Sequence, residues 1–148
     1  GEEGPCEVAA VVREVAGQVS LDRGGAVALC VGELAPLQVA ASPRLVAVLV
    51  GNLLRNAFQH TRNGRVAVQL DGSRLVVEDT GPGLGAQDPE ELFRFGNRGG
   101  DGGAGHGLGL YIVRQVCDRY GWTVVLEEGG TGGARVTVGF AEAGDAPA

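Results

Sequence analysis

The chain has 148 residues, a formal net charge of −6 and 44% hydrophobic residues. That length suits one domain with a sizeable core, and the acidic balance argues against a general binder of nucleic acid or anionic membrane. No apolar run approaches a membrane span and no secretory leader is evident, so the chain reads as soluble. Richness in Gly, Ala, Val and Arg without methionine, and a start at Gly1, read as a high-GC source and a piece of a longer protein. Cys6, Cys30 and Cys117 lack CxxC or Cys/His ligand spacing and are expected to be buried small hydrophobes in a reducing compartment.

In chain order, 8–19 has helical spacing, and 26–31 and 37–40 read as strands either side of a turn containing Gly32 and Pro36. Ser42-Pro43 fits a helix start, serine as N-cap and proline at the first position, for a helix running to about Thr61. Segments 65–70 and 74–79 flank Asp71-Gly72, a hairpin signal. A loop rich in Gly, Asp and Pro follows from Thr80 to about His106, broken by one short helical piece at 88–95. A third long helix at 108–121 ends at Gly121, and strands at 123–128 and 134–140 surround the glycine turn 129–133. The tail 141–148 is expected to fray. The pattern predicts one domain with a core over about 6–140, an α/β two-layer sandwich whose mostly antiparallel sheet includes a parallel element. The loop from 80 to 106 is longer than compact domains carry without a reason, which marks it as functional.

Four stretches carry possible chemistry. In "VGNLLRNAFQH" (50–60), Asn52, Asn56 and His60 fall within about a quarter of the helix circumference, beside the apolar face. The two amides serve either to cap a neighbouring loop or as neutral oxygen ligands for a hard cation that keeps waters and phosphate oxygens. "EDTGPGLG" (78–85) places Asp79 at a strand end before closely spaced glycines. It reads as a glycine-rich turn with Asp79 as its Asx residue, or as a carboxylate that accepts from the exocyclic amine of a purine. "GAGHGLGL" (103–110) opens a helix with glycines, either a hinge or an anion site on backbone N–H groups. It is neither a Walker A motif nor a dinucleotide fingerprint. "ELFRFGNRG" (91–99) sets Phe93 and Phe95 in a polar loop that has only four phenylalanines in the whole chain to draw on. They are lid anchors or a small satellite cluster, and Arg98 is a solvated charge or a phosphate contact.

Taken together and in this order, "NLLRNAFQH", "DTGPG", "FRF" and "GHGLGL" resemble the N, G1, F and G2 boxes of the GHKL ATPase superfamily, which includes gyrase, MutL, the heat-shock-90 chaperones and histidine kinases. The resemblance covers about 8–140 and is nearest to the catalytic and ATP-binding domain of bacterial sensor histidine kinases; "GGARVTVGF" also resembles the last strand of that domain. It implies a Bergerat-type ATP-binding fold, with about five strands covered by three helices and a flexible ATP lid over about 86–106. It further implies that Asn56 holds Mg²⁺ with Asn52 in support, and that Asp79 accepts from the adenine amino group. Gly81 and Gly83 would let adenine pack closely, with Leu84 also among the nucleotide-binding residues. Gly105, His106, Gly107, Leu108, Gly109 and Leu110 would line the phosphates and the lid hinge. Phe93 and Phe95 would anchor the lid, Gln59 and His60 would border the nucleotide, and Arg98 would face the γ-phosphate.

Two positions refine the resemblance. The family pattern carries Lys or Arg where this chain has Gln59, so one phosphate-side charge is missing; Arg62, Arg98 and His106 are the candidates to replace it. Hydrolysing members, and the anti-sigma-factor serine kinases, carry glutamate where this chain has Asn52. A carboxylate there can orient or deprotonate the attacking oxygen, and an amide cannot act as a base at neutral pH. The resemblance therefore implies a domain that binds MgATP and passes the γ-phosphoryl group to a histidine on a separate dimerisation and phosphotransfer domain of a two-component sensor. Neither His60 nor His106 has the context of such an acceptor. The implied partners are that domain and a downstream response regulator, and the implied location is cytoplasmic, with the parent anchored in the inner membrane. The alternatives are an anti-sigma-factor-type serine kinase, and a degenerate domain kept for protein contacts.

Overall fold

The computed structural model describes residues 5–22, 27–61, 63–84, 88–94, 109–130 and 132–140. Along the chain, β1 (Pro5–Glu7) leads into α1 (Val8–Asp22), and β2 (Val27–Leu34) and β3 (Gln38–Ala40) precede α2 (Pro43–Gln59). β4 (Gly64–Asp71) and β5 (Arg74–Asp79) form a hairpin. The short α3 (Pro89–Leu92) and α4 (Gly109–Tyr120) follow, and β6 (Thr123–Glu128) and β7 (Ala134–Gly139) close the fold.

Among the described residues, the main sheet has five strands in the order β2-β4-β5-β7-β6, of which only β2 and β4 pair in parallel. This is the mixed, mostly antiparallel sheet that the sequence predicts. α1, α2 and α4 lie side by side on it, α1 against β2, α2 over β4 and β5, and α4 against β6. The alternation of Val66, Val68 and Leu70 in β4 with Leu75 and Val77 in β5 supplies one wall of the core, and Val46, Leu49 and Leu53 of α2 supply the other. Each such side chain contributes roughly 1.5–3 kcal/mol on burial.

Three expectations need adjusting. Gly32 lies within β2, where the pairing register shifts, rather than in a turn, and the strands on the two sides of the remaining turn do not share a sheet. β2 lies beside β4, whereas β3 pairs with β1 in a separate two-stranded sheet, with Val39 opposite Cys6. The parallel β2–β4 pair needs a crossover, and α2 supplies it. β1 itself is three residues long and begins with a proline, too short to show a period of two. The hairpin turn sits one residue later than expected: Asp71 pairs with Arg74, and Gly72, at φ +60°, is the first residue of the connection. Cys30 is exposed on β2 rather than buried, because that part of an edge strand faces outward. Cys6 and Cys117 are buried as expected, and burial pushes the Cys117 thiol up to about 12.

The caps fix how α2 and α4 meet. The Ser42 hydroxyl accepts from the Leu45 N–H at 3.4 Å, with Pro43 at the first helical position. At the other helix, Gly121 takes φ +72° and the Trp122 N–H donates to the Cys117 carbonyl at 2.9 Å, a Schellman ending. The Tyr120 hydroxyl accepts from the Ser42 N–H at 3.1 Å and stacks on Trp122. The start of α2 is thereby tied to the end of α4. Their opposite ends, where the candidate site residues lie, are left to meet β5 and the loops.

Candidate functional site

The inward alternation of β5 is Leu75, Val77, Asp79. Two hydrophobes are therefore followed on the same face by a carboxylate, only 5% exposed, at the strand end. Its Oδ1 accepts from the Gly81 N–H at 2.9 Å and from the Ala134 N–H at 3.2 Å. Both bonds are made to the same oxygen. Burial pushes the Asp79 carboxyl above its usual range, while these two N–H groups and His60 pull it back down. The Asx reading of Asp79 is thus seen at Oδ1, the oxygen that orders the turn.

The surrounding glycines are required by close approach. A Cβ on Gly81 would collide with the His60 carbonyl, and one on Gly133 with the backbone carbonyl of Asp79. Gly83 takes φ +81°, and a Cβ there would meet the Gly132 carbonyl at 2.5 Å and the Glu128 carboxylate at 2.8 Å. The end of α2, the turn after β5 and the β6–β7 connection are packed backbone to backbone.

The α2 edge is built differently. Asn52 and Asn56 are half-buried. The Asn52 Nδ2 donates to the Val48 carbonyl at 2.7 Å in its own helix. Its Oδ1 lies toward the start of α4, where a Cβ added to Gly109 would be 3.7 Å from that oxygen and 3.9 Å from the Asn56 Cβ. His60 folds back so that Nδ1 lies 3.0 Å from the Asn56 carbonyl; a carbonyl only accepts, which places the proton on Nδ1. Gln59 is exposed at the helix end.

Asn52, Asn56, His60, Asp79, Gly81 and Gly109 are thus brought together along one edge of α2. Leu84 is partly buried against the core, and Leu110 packs within it. Phe93, at the end of α3, is 5% exposed. The Arg114 guanidinium lies 4.3 Å from its ring centroid and forms an ion pair with Glu90 at 3.3 Å, which fastens α3 to α4. Phe95, Arg98, Gly105, His106, Gly107 and Leu108, with Arg62, lie outside the described residues.

Sequence reasoning missed the β6–β7 connection as part of the site. Glu128 accepts from the Leu84 N–H at 2.5 Å, and Glu78 accepts from the Gly130 N–H at 2.9 Å. The glycine cluster at 129–133 marked the place; nothing local in it showed that Ala134 would donate to a carboxylate 55 residues away.

Among the described residues, no group of three His, Cys, Asp or Glu is placed to hold a metal ion. The oxygen donors at the α2 edge are neutral amides. Such a set fits a hard cation that brings most of its ligands with it, as water and phosphate oxygens.

The family model of the histidine kinase-, DNA gyrase B-, and HSP90-like ATPases matches residues 41–144. The sensor protein ChvG of Rhizobium meliloti (strain 1021) is 40% identical over 92 residues, covering 55% of this chain and 16% of that protein. The chain thus spans about a sixth of that relative's length. A solved structure of the mycobacterial sensor histidine kinase MprB superposes with a TM-score of 0.81 at 26% identity, covering 93% of this chain and 96% of that one. The full-length ShkA structure in complex with AMPPNP superposes with a TM-score of 0.69 at 25% identity, covering 94% of this chain and 32% of that one.

Proposed function

We infer function from the family first: the chain belongs to the histidine kinase-, DNA gyrase B-, and HSP90-like ATPases. We propose that it is the ATP-binding catalytic domain of a sensor histidine kinase, binding MgATP along the α2 edge and donating the γ-phosphoryl group to a histidine on a separate dimerisation and phosphotransfer domain. The observation that carries this reading is Asp79. A buried carboxylate has one oxygen fixed by two backbone amides, between glycines that admit no side chain. Such a group suits a flat ring bearing an amino donor, and adenine has one where guanine has a carbonyl.

From Asp79 the triphosphate would run along α2 toward Gly109, past the Asn56 side chain and the Asn52 Oδ1. Asn56 would hold Mg²⁺, with Asn52 in support; the ion, when bound with the nucleotide, neutralises phosphate charge. Asn52 carries no base, so the domain orients the phosphates without activating water. Transfer then depends on positioning and electrostatic stabilisation, with Arg98 at the γ-phosphate and Phe93 and Phe95 anchoring the lid. The wider reading places the parent's catalytic part in the cytoplasm and a response regulator downstream.

Titration calorimetry with AMPPNP and Mg²⁺ tests the core of this. Binding is expected for the wild-type chain and is expected to disappear in Asp79→Ala. No heat from the wild type, or equal affinity in the variant, overturns the assignment. Incubated alone with labelled ATP, the chain is expected to gain no phosphohistidine, because neither of its two histidines, His60 and His106, has the sequence context of a phosphoacceptor.

A further inference from the structure

The β6–β7 connection and the turn after β5 exchange hydrogen bonds in both directions. From the hairpin, the Glu128 carboxylate reaches across to accept from the Leu84 N–H at 2.5 Å. From β5, the Glu78 carboxylate reaches back to accept from the Gly130 N–H at 2.9 Å. Between these two braces, the Ala134 N–H donates to Asp79 Oδ1, and Gly83 is held at φ +81° against Gly132 and Glu128. Arg135 pairs with both Glu78, at 3.4 Å, and Glu127, at 3.6 Å. Such reciprocal acceptance by ionised side chains gives hydrogen bonds stronger than neutral ones. A turn with a positive-φ glycine would otherwise have many conformations open to it.

We propose that the β6–β7 hairpin is the element that positions the base subsite, and that Glu128 is its positioning residue, acting on the nucleotide through the Leu84 backbone rather than by contact. This rests on the proposed adenine site at Asp79. Without Glu128, Leu84 loses the bond that ties it to the β6–β7 connection, and the turn is left to be held to Asp79 through Gly81. The loss should fall on recognition of the adenine amino group and spare the phosphates. Glutamine keeps an oxygen that can accept from the Leu84 N–H, so it should rescue.

The test compares ATP with ITP, which has the same ribose and phosphates but a carbonyl in place of the 6-amino group. In Glu128→Ala, calorimetry with Mg²⁺ is expected to show ATP affinity falling roughly tenfold and ITP affinity almost unchanged. Glu128→Gln is expected to stay within about threefold of the wild type. An equal loss for both nucleotides points to general destabilisation and overturns the proposal, as does unchanged ATP affinity in Glu128→Ala. Hydrogen exchange of the Leu84 amide, followed by NMR without nucleotide, is expected to be slow in the wild type and in Glu128→Gln and fast in Glu128→Ala; equal rates in all three overturn it as well. A wild type that binds no ATP removes the adenine site and this proposal together. A wild type that binds, with a variant that binds equally, removes this proposal alone.

Discussion

The two ends of the proposed nucleotide site are made by opposite means. At the base end, Asp79, Gly81, Gly133 and Ala134 are locked by backbone hydrogen bonds and by approaches too close for a Cβ. At the phosphate end, the α2 edge offers two half-buried neutral amides facing Gly109, where an added Cβ would sit at ordinary van der Waals distance. The first end is pre-organised and carries a charge; the second, among the described residues, offers neutral amide donors and more room. The base end is therefore expected to fix what binds and in which orientation. The phosphate end is expected to respond to whatever cation and charge arrive with the ligand. Substitutions at the two ends should differ in size, in metal dependence and in their effect on stability.

The largest effect is expected from Asp79→Asn. Its oxygen can still accept from Gly81 and Ala134, but the second position becomes a donor facing the adenine amino donor. ATP affinity should fall at least about 100-fold, read by calorimetry. Stability should move the other way. The folded-state pKa of Asp79 lies above its ordinary value of 3.8, mainly through burial. The folded chain therefore holds the Asp79 proton more tightly than the unfolded chain, and this term costs stability as pH rises from 3.8 through the folded-state value. Asparagine has no such term. At neutral pH the variant should melt no lower than the wild type, and the difference should close as pH falls toward 3.8. A variant that neither binds nor folds would leave Asp79 a structural residue.

Next in size is a pair of glycine substitutions. Gly133→Ala pushes a methyl into the Asp79 carbonyl, an overpacking cost of about 1–3 kcal/mol. It should also lower ATP affinity, because the backbone that must yield belongs to the base end. Gly121→Ala sits at φ +72° with nothing within 4 Å. It should cost a similar ~1–2 kcal/mol through the left-handed conformation alone and leave binding untouched. Equal binding by both variants, measured well below their melting temperatures, would contradict the view that the base end is rigid because it must be.

The same contrast explains what could be read in advance. The helix at Ser42-Pro43, the hairpin at 65–79 and the third helix ending at Gly121 follow from local signals: a cap, a period of two, a terminal glycine. The residues of the α2 edge were also legible, because 3.6-residue periodicity alone puts Asn52, Asn56 and His60 on one side. What was not legible is everything set by sheet order. Nothing within β2 or β3 says that they belong to different sheets. Nothing within 129–134 says that its amides face Asp79, since that contact exists only once β7 has inserted between β5 and β6. The Cys30 reading failed for a related reason. A small apolar residue in a strand is buried only if that face is covered, and coverage is a property of the assembled layers.

At the phosphate end the expected effects are smaller and conditional. Asn56→Ala should lower ATP affinity roughly tenfold when Mg²⁺ is present. With EDTA in place of the metal, variant and wild type should bind alike. A loss that persists without metal would mean that the amide contacts the ligand or the helix N-terminus directly, and would move Asn56 from the metal to the phosphates.

The smallest effect is expected where the phosphate end departs from the family pattern. Gln59 is exposed at the end of α2, one residue before His60, so a cation there would stay hydrated while facing the phosphates. An exposed charge interaction is worth about 0.2–1 kcal/mol, roughly a factor of 1.4 to 5 in affinity. Gln59→Lys should raise ATP affinity by about that factor at low ionic strength, and the gain should shrink as salt shortens the screening length toward ~8 Å. It should also be larger for ATP than for AMP, because the base end is unchanged and only the phosphates differ. If Lys at 59 raised the affinity for all adenine nucleotides equally and without salt dependence, the substitution would be acting on the base end. The division between a rigid base end and an α2 edge of neutral amides would then be wrong at the position where α2 joins them.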